Sequence, residues 1–290
     1  MSSMSGGAVQ YHFGLLGERV DYSRSPEIFG ALFSLAGVTG EFTTFNCAAV
    51  EIPALIANLP TRGVGAVCVT IPHKESIIPN LSAIDEVASA IRSVNSVRFV
   101  SGGATGMNTD AYGFSAGLGE RVADLKGRRA LTLGAGGAAR SAAYALALDA
   151  EVESIAICAR NVERAERSIS LLRAALPRVE LAVVPWTEED NPCAYLAENF
   201  DIVVNATPLG GPNQRAGAAT DIVSLVAPTG VYYDLNYNVD NELLQAAVAR
   251  GVVVVNGLPM LIHQALRSFA LWTGIEVDYA AAAARLERHD

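Results

Sequence analysis

The sequence predicts an α/β protein, on three observations. Short β-rich runs alternate with segments of helical period along most of the chain. The alternation comes in two series, and the second has the order of a doubly wound parallel sheet. With 290 residues and 51% hydrophobic content, one large or two ordinary domains can each bury a sizeable core.

The first series opens with the run YHFGLLG and continues into PEIFGALFSLAG. There Ile28, Phe29, Leu32, Phe33 and Leu35 share one helical face, and Gly37 stops the helix. EFTTFNC, a helix around Val50 to Asn58, GAVCVT and SVRFV follow. The second series starts at RALTLGAGG and runs through AARSAAYALAL, SIAICAR, a helix from Arg164 to Ala175, LAVVPW, DIVVNAT and VYYDLNY. A helix around Asn241 to Arg250 and the run VVVVNG complete it. The last stretches, LPMLIHQALRSFALW and YAAAAARLER, are helical with no strand after them, so they are expected to pack back on the first unit. The boundary near GMNTDAYG is placed by the change of series, since no Pro-rich or Ser-rich linker marks it.

A net charge of -9 argues against a nucleic-acid footprint or an anionic membrane surface, and favours a small substrate. The opening residues MSSMSGG lack a basic and apolar leader, and no run reaches the ~18 to 20 apolar residues of a span. A soluble, cytoplasmic protein is expected. Cys47, Cys68, Cys158 and Cys193 show no metal-ligand spacing and are expected to be reduced thiols.

The motif LTLGAGGAARS places Gly134, Gly136 and Gly137 between a strand and an Ala-rich helix. Backbone without side chains can approach a pyrophosphate there, with the helix N-terminus facing its charge. A tight turn with no ligand is the plain alternative. The next strand of the unit ends in CARNVERA. A carboxylate at that place suits a ribose hydroxyl, whereas Arg160, with Arg164 one helical turn on, suits a 2′-phosphate and so NADP. As solvated arginines paired with Glu163 and Glu166 they would do neither.

Among 21 basic residues only Lys74 and Lys126 are lysines. Lys74, in VCVTIPHKES, falls just past the end of a strand, where ligands of open α/β sheets bind, and Pro72 fixes a turn there. An ammonium can give and take a proton, while a guanidinium stays charged, so Lys74 is a candidate for proton transfer. A surface lysine with a packed stem is the other reading, and Lys126 fits it. Ser23 and Ser25 in DYSRSPEIF stand at a helix start, where hydroxyls and N–H groups bind a carboxylate or one serine simply caps. Asp110 also stands at a helix start, where it, Asn108 or Thr109 could cap.

In order, SRSP, VTIPHK, SVNSV, GMNTDAYG, LGAGGAAR, ARNVERA, NATPLGG, DLNY and GLPMLIHQAL resemble the shikimate dehydrogenase family, over a span from Gly14 to Gly274. The resemblance implies a substrate-binding α/β domain, residues 1–109 completed by C-terminal helices in 258–290. It also implies an inserted NADP-binding Rossmann domain, 110–257, with the active site between the two. The implied reaction is reversible reduction of 3-dehydroshikimate to shikimate by NADPH. Lys74 and Asp110 match the family's catalytic pair. Ser23, Ser25, Thr70 and Tyr237 match its carboxylate contacts, and Asn95 and Gln264 the amides that read ring hydroxyls. Gly134, Gly136, Gly137, Ala138, Arg160 and Arg164 match the cofactor fingerprint, with Asn205, Thr207 and Met260 near the nicotinamide. The implied partner is a small cyclic hydroxy acid, and the chain is expected as a monomer or homodimer.

Three positions and one segment depart from the family pattern. Cys68 replaces an Asn, Gly211 stands where Met is frequent, Asn161 replaces a common Thr, and NVDNELL after Tyr237 lacks the usual Pro and Thr. Losing a hydrogen-bonding group in a substrate pocket can shift discrimination by orders of magnitude. A paralogue acting on quinate, an aminoshikimate or another ring acid therefore stands beside the leading reading, as does a ligand-binding module without turnover. Ser25, where quinate-preferring relatives often carry Thr, favours shikimate, whereas Cys68 points away from the standard pocket. Lys74 and Asp110 argue against the module.

Overall fold

The computed structural model describes residues 10–186, 199–211, 214, 216–237 and 241–286. The MSSMSGG stretch and Cys193 lie outside them. The chain divides into two compact units: residues up to Thr109 with those from Ile262 onward, and Asp110–Leu261.

The first unit contains β1 (Tyr11–Gly17), α1 (Ser25–Leu35), β2 (Gly40–Asn46), α2 (Ile52–Asn58), β3 (Ala66–Val69), β4 (Ala83–Ile84), α3 (Glu86–Ile91), β5 (Ser96–Val100) and β6 (Gly103–Met107). Its sheet has the order β2-β1-β3-β5-β6-β4. β1 pairs in parallel with β2 and β3, and β5 runs antiparallel to both β3 and β6. One sheet face packs Val67, Val69 and Val97 on Ile52, Ile56 and Ala88.

The second unit runs through α4 (Asp110–Leu118), α5 (Arg121–Asp124), β7 (Arg129–Leu133), α6 (Gly137–Leu148), β8 (Ser154–Ala159), α7 (Val162–Ala175), β9 (Glu180–Pro185) and β10 (Phe200–Asn205). β11 (Val226–Asp234), α8 (Glu242–Arg250) and β12 (Val253–Val255) follow. The sheet is parallel throughout, in the order β12-β11-β10-β7-β8-β9. Its order reverses between β7 and β10, the place where open α/β sheets bind ligands.

Two helices end the described chain, α9 (Leu258–Thr273) and α10 (Tyr279–Leu286). Phe269 and Trp272 of α9 close an aromatic cluster with Phe13 of β1 and Phe29 of α1. Trp272 stands edge-on to Phe13 at 4.8 Å and stacks on Phe29 at 5.4 Å between ring centroids. Such pairs add to the gain from burying their large apolar area.

Several elements were not legible in the sequence. β6 reads GATGM, two glycines and an alanine without a β-branched run, and is a strand because β5 pairs with it along its length. β4 has two residues, and the 3-10 turn Gly217–Leu225 has no α-helical period to detect. The helix expected from Val50 is a 3-10 turn, Ala49–Glu51, running into α2. α7 begins two residues before Arg164 because the Asn161 carboxamide accepts from Arg164 N at 2.8 Å.

Candidate active site

In the first unit the candidate residues gather at the carboxyl ends of β1 and β3. Gly17 ends β1, and a Cβ there would stand 2.6 Å from Thr70 Cγ2, so only glycine lets the two loops meet this closely. Thr70 N donates to Leu16 O at 2.9 Å and locks that approach. α1 starts at Ser25 with Arg24 at its N-cap, and no side chain caps it. Ser23 Oγ instead accepts from Ser25 N at 3.2 Å and donates to Ser25 Oγ at 3.1 Å. The two serines are thus one preformed hydroxyl pair at the start of an 11-residue helix, a place suited to an anion.

Lys74 is half-buried in the turn after β3. Two bonds tie that turn to neighbouring segments. The Lys74 carbonyl accepts from Val94 N at 2.8 Å, and the buried His73 ring bonds through Nε2 to Cys47 O at 2.7 Å. Lys74 is therefore tied to the residue preceding Asn95. Lys126, in contrast, forms an exposed pair with Glu151 at 2.8 Å.

Asn95 and Gln264 are brought together. Asn95 Nδ2 donates to Gln264 Oε1 at 3.1 Å and to Thr109 Oγ1 at 2.9 Å, while its Oδ1 accepts from Thr109 N at 2.6 Å. Thr109 Oγ1 also lies 3.0 Å from Ser268 Oγ. Thr109 and Ser268, which the sequence reading did not assign, complete this buried polar cluster. Asn108 Nδ2 donates to Ser93 O at 2.8 Å, and its own N–H goes to Asp85 Oδ2 at 3.2 Å. Burial pushes the Asp85 carboxyl above the usual range, and the N–H donors of Ala88 and Asn108 restrain the rise.

Cys68 is buried on β3 in register with Ser96 of β5. Cross-strand partners share a sheet face, and the Ser96 hydroxyl there is buried with no hydrogen-bond partner among the described residues. Among the described residues Cys47, Cys68 and Cys158 form no disulfide. Burial raises the Cys47 thiol pKa, with Glu51 and Glu18 adding to it.

In the second unit Gly134 has φ +101, and a Cβ there would stand 3.1 Å from Ala206 O and 3.2 Å from Thr207 Cγ2. Only glycine fits both the conformation and the gap. Gly136 is the extended N-cap of the 12-residue α6 and brings no capping side chain, so the leading N–H groups around Gly137 and Ala138 meet no cap of its own. The Arg164 guanidinium lies 3.7 Å from where a Gly136 Cβ would be, and Arg160 is exposed just past β8. A glycine turn, a helix N-terminus and two arginines make a donor set that fits a phosphorylated dinucleotide. Behind the turn, the buried Arg140 donates to Ala135 O at 3.3 Å and to Ser168 Oγ at 3.4 Å, and Ser168 Oγ donates to the same carbonyl at 3.0 Å. The sequence reading did not assign Arg140 or Ser168; a basic residue on the first turn of an otherwise Ala-rich helix was the available signal.

Asn205 and Thr207 face inward. Asn205 has no exposed surface, and its Oδ1 accepts from Thr207 N at 3.1 Å and Thr207 Oγ1 at 2.6 Å. Its Nδ2 donates to Leu209 O at 2.9 Å and Asp234 Oδ2 at 3.0 Å, so it shapes the loop after β10 from behind. Met260 is buried on α9, Tyr237 is half-buried three residues past the end of β11, and Asp110 is buried as the first residue of α4. Among the described residues no cluster could hold a metal ion, and no helix is long and apolar enough to cross a membrane. The segment after Tyr237 lies partly outside the described residues.

Residues 15–97 match the model of the shikimate dehydrogenase substrate binding domain, and 257–287 that of the shikimate 5′-dehydrogenase C-terminal domain. A curated shikimate dehydrogenase (NADP(+)) of Symbiobacterium thermophilum is 37% identical over 281 residues, covering 94% of each chain. A crystal structure of a shikimate dehydrogenase in complex with NADP+ superposes with a TM-score of 0.82 at 29% identity, over 96% of this chain and 95% of that one. A quinate dehydrogenase from Corynebacterium glutamicum in complex with NAD superposes with a TM-score of 0.80 at 28% identity, over 96% and 99%.

Proposed function

The chain belongs to the shikimate dehydrogenase family, and from that premise we propose that it is an NADP-dependent dehydrogenase interconverting 3-dehydroshikimate and shikimate. The observation that carries this reading is identity of 37% with an NADP-dependent relative over 94% of both chains. The motif residues of the candidate site accompany it.

When bound, the cofactor supplies or accepts the hydride. Gly134, Gly136, Gly137 and Ala138 present backbone to its pyrophosphate, while Arg160 and Arg164 take the 2′-phosphate. Met260 and the loop carrying Thr207 border the nicotinamide, with Asn205 acting through that loop. The Ser23–Ser25 pair, Thr70 and Tyr237 bind the substrate carboxylate. Asn95 and Gln264 read the ring hydroxyls, since an amide offers both a donor and an acceptor.

Lys74 carries the proton. Its Nζ donates to the carbonyl oxygen as hydride arrives at carbon, and it takes the proton back in the oxidative direction. Asp110 holds and electrostatically tunes that ammonium. Anchoring the Lys74 carbonyl to Val94 N limits how far the side chain can swing from the Asn95 cluster.

The test is the rate of reduced-nicotinamide formation with NADP or NAD, each paired with shikimate or quinate. Rapid turnover of NADP with shikimate is expected. Activity on quinate alone would overturn the substrate assignment, and silence on both acids would overturn the reading as a whole. The quinate reading is kept as the second one because of the quinate dehydrogenase likeness and the Cys68 replacement.

A further inference from the structure

Loops follow the carboxyl ends of β10 and β11, on the side of β7 away from β8. A buried carboxylate ties these loops together. Asp234 ends β11 and has no exposed surface. Its Oδ1 accepts from Asn236 N at 2.9 Å and Asn236 Nδ2 at 2.8 Å, and its Oδ2 from Asn205 Nδ2 and Tyr232 OH, each at 3.0 Å. Four donors converge on one carboxylate, the arrangement a buried charge requires.

Asn236 joins the loops. Its Nδ2 also donates to Thr207 O at 3.1 Å and Leu209 O at 3.2 Å. A Cβ on Gly211 would stand 2.7 Å from Pro208 O and 3.0 Å from Asn236 Oδ1, so the side chain missing at 211 leaves the room that the Asn236 amide uses. On the other flank Gly257 N donates to Asn236 O at 3.0 Å, and a Cβ on Gly257 would collide with Leu235 O. The loop held in this way is the one whose Ala206 and Thr207 stand against Gly134.

We propose that Asn236, held by Asp234, is a positioning residue for the nicotinamide half of the cofactor. The inference rests on the cofactor reading above. A dinucleotide lies across the reversal in strand order. Arg160 and Arg164 follow β8 and take the adenosine end, which leaves the loops after β10 and β11 to the other half. Asn236 sets where that wall stands without touching the ligand.

Two ligands separate this role from a general loss of structure: NADPH, titrated by its fluorescence, and adenosine 2′,5′-bisphosphate, which carries only the adenosine end. Asn236→Ala is expected to weaken NADPH about ten-fold, as for one or two lost hydrogen bonds. Binding of the bisphosphate should stay within about two-fold, as for a distant, independent site. Gly211→Ala strains the same contact from the loop side and must give the same split, which keeps the test decisive if Asn236→Ala does not fold. Equal weakening of both ligands, or of neither, overturns the positioning role while leaving the cofactor reading in place. A wild-type protein that binds neither ligand overturns both.

Discussion

Asn95 Nδ2 donates to Gln264 Oε1 at 3.1 Å, joining residues 169 positions apart in sequence within one unit. Each amide restrains the other, so in the proposed function the two would act as one reader of ring hydroxyls. A double-mutant cycle of Asn95→Ala and Gln264→Ala on kcat/KM is expected to show a coupling of about 0.5–3 kcal/mol, as for residues in one hydrogen-bond network. Strict additivity would sink the idea of a shared reader.

Lys74→Ala is expected to lower kcat by at least ~100-fold, the loss of a positioned proton donor. NADPH affinity should stay near that of the wild type, because the turn proposed to bind its phosphates is made by Gly134, Gly136 and α6. A fully active variant removes Lys74 from the mechanism.

Arg160→Asp reverses the charge offered to a 2′-phosphate and supplies an acceptor for a ribose hydroxyl. The ratio of kcat/KM with NADP to that with NAD should fall by at least ~10-fold, the scale of one charge-assisted hydrogen bond. An unchanged ratio would mean that Arg160 is only a solvated surface residue.

Burial pushes the Asp234 carboxyl above its ordinary pKa, against the donors of Asn205 and Asn236. A raised folded-state value means that its contribution to stability is fully present below the unfolded pKa and is lost as pH rises through the folded one. Wild type should therefore gain stability relative to Asp234→Asn on going from about pH 7 toward about pH 4.5. Urea unfolding at both values reads the gap, and a gap that is constant or moves the other way refutes the assignment.

The glycine turn and the arginines after β8 were legible because their chemistry is local: a strand, a run of glycines and a helix occupy consecutive residues. The partners that hold them were not. Thr109, Ser268 and Arg140 look like ordinary polar residues in helical or turn sequence, and matter only because the fold brings Asn95 to Thr109, Thr109 to Ser268 and Ala135 to Arg140. Gly211 read as a departure from a family pattern, and its meaning lies in Asn236, 25 positions later by sequence and 3.0 Å from its missing Cβ. β6 was hidden for the same reason, since what makes GATGM a strand is its neighbour rather than its composition.

The aromatic cluster of Phe13, Phe29, Phe269 and Trp272 also sets a timetable for synthesis. Phe13 and Phe29 leave the ribosome early, but the rings that cover them arrive only after the whole of Asp110–Leu261 has been made. At about 5–20 residues per second that interval is on the order of ten seconds. At the end of it the second unit has all of its own sequence, while the first still lacks the helix that brings Phe269 and Trp272 to its exposed rings. The earliest-made part of the chain is thus the last to receive all the residues of its core.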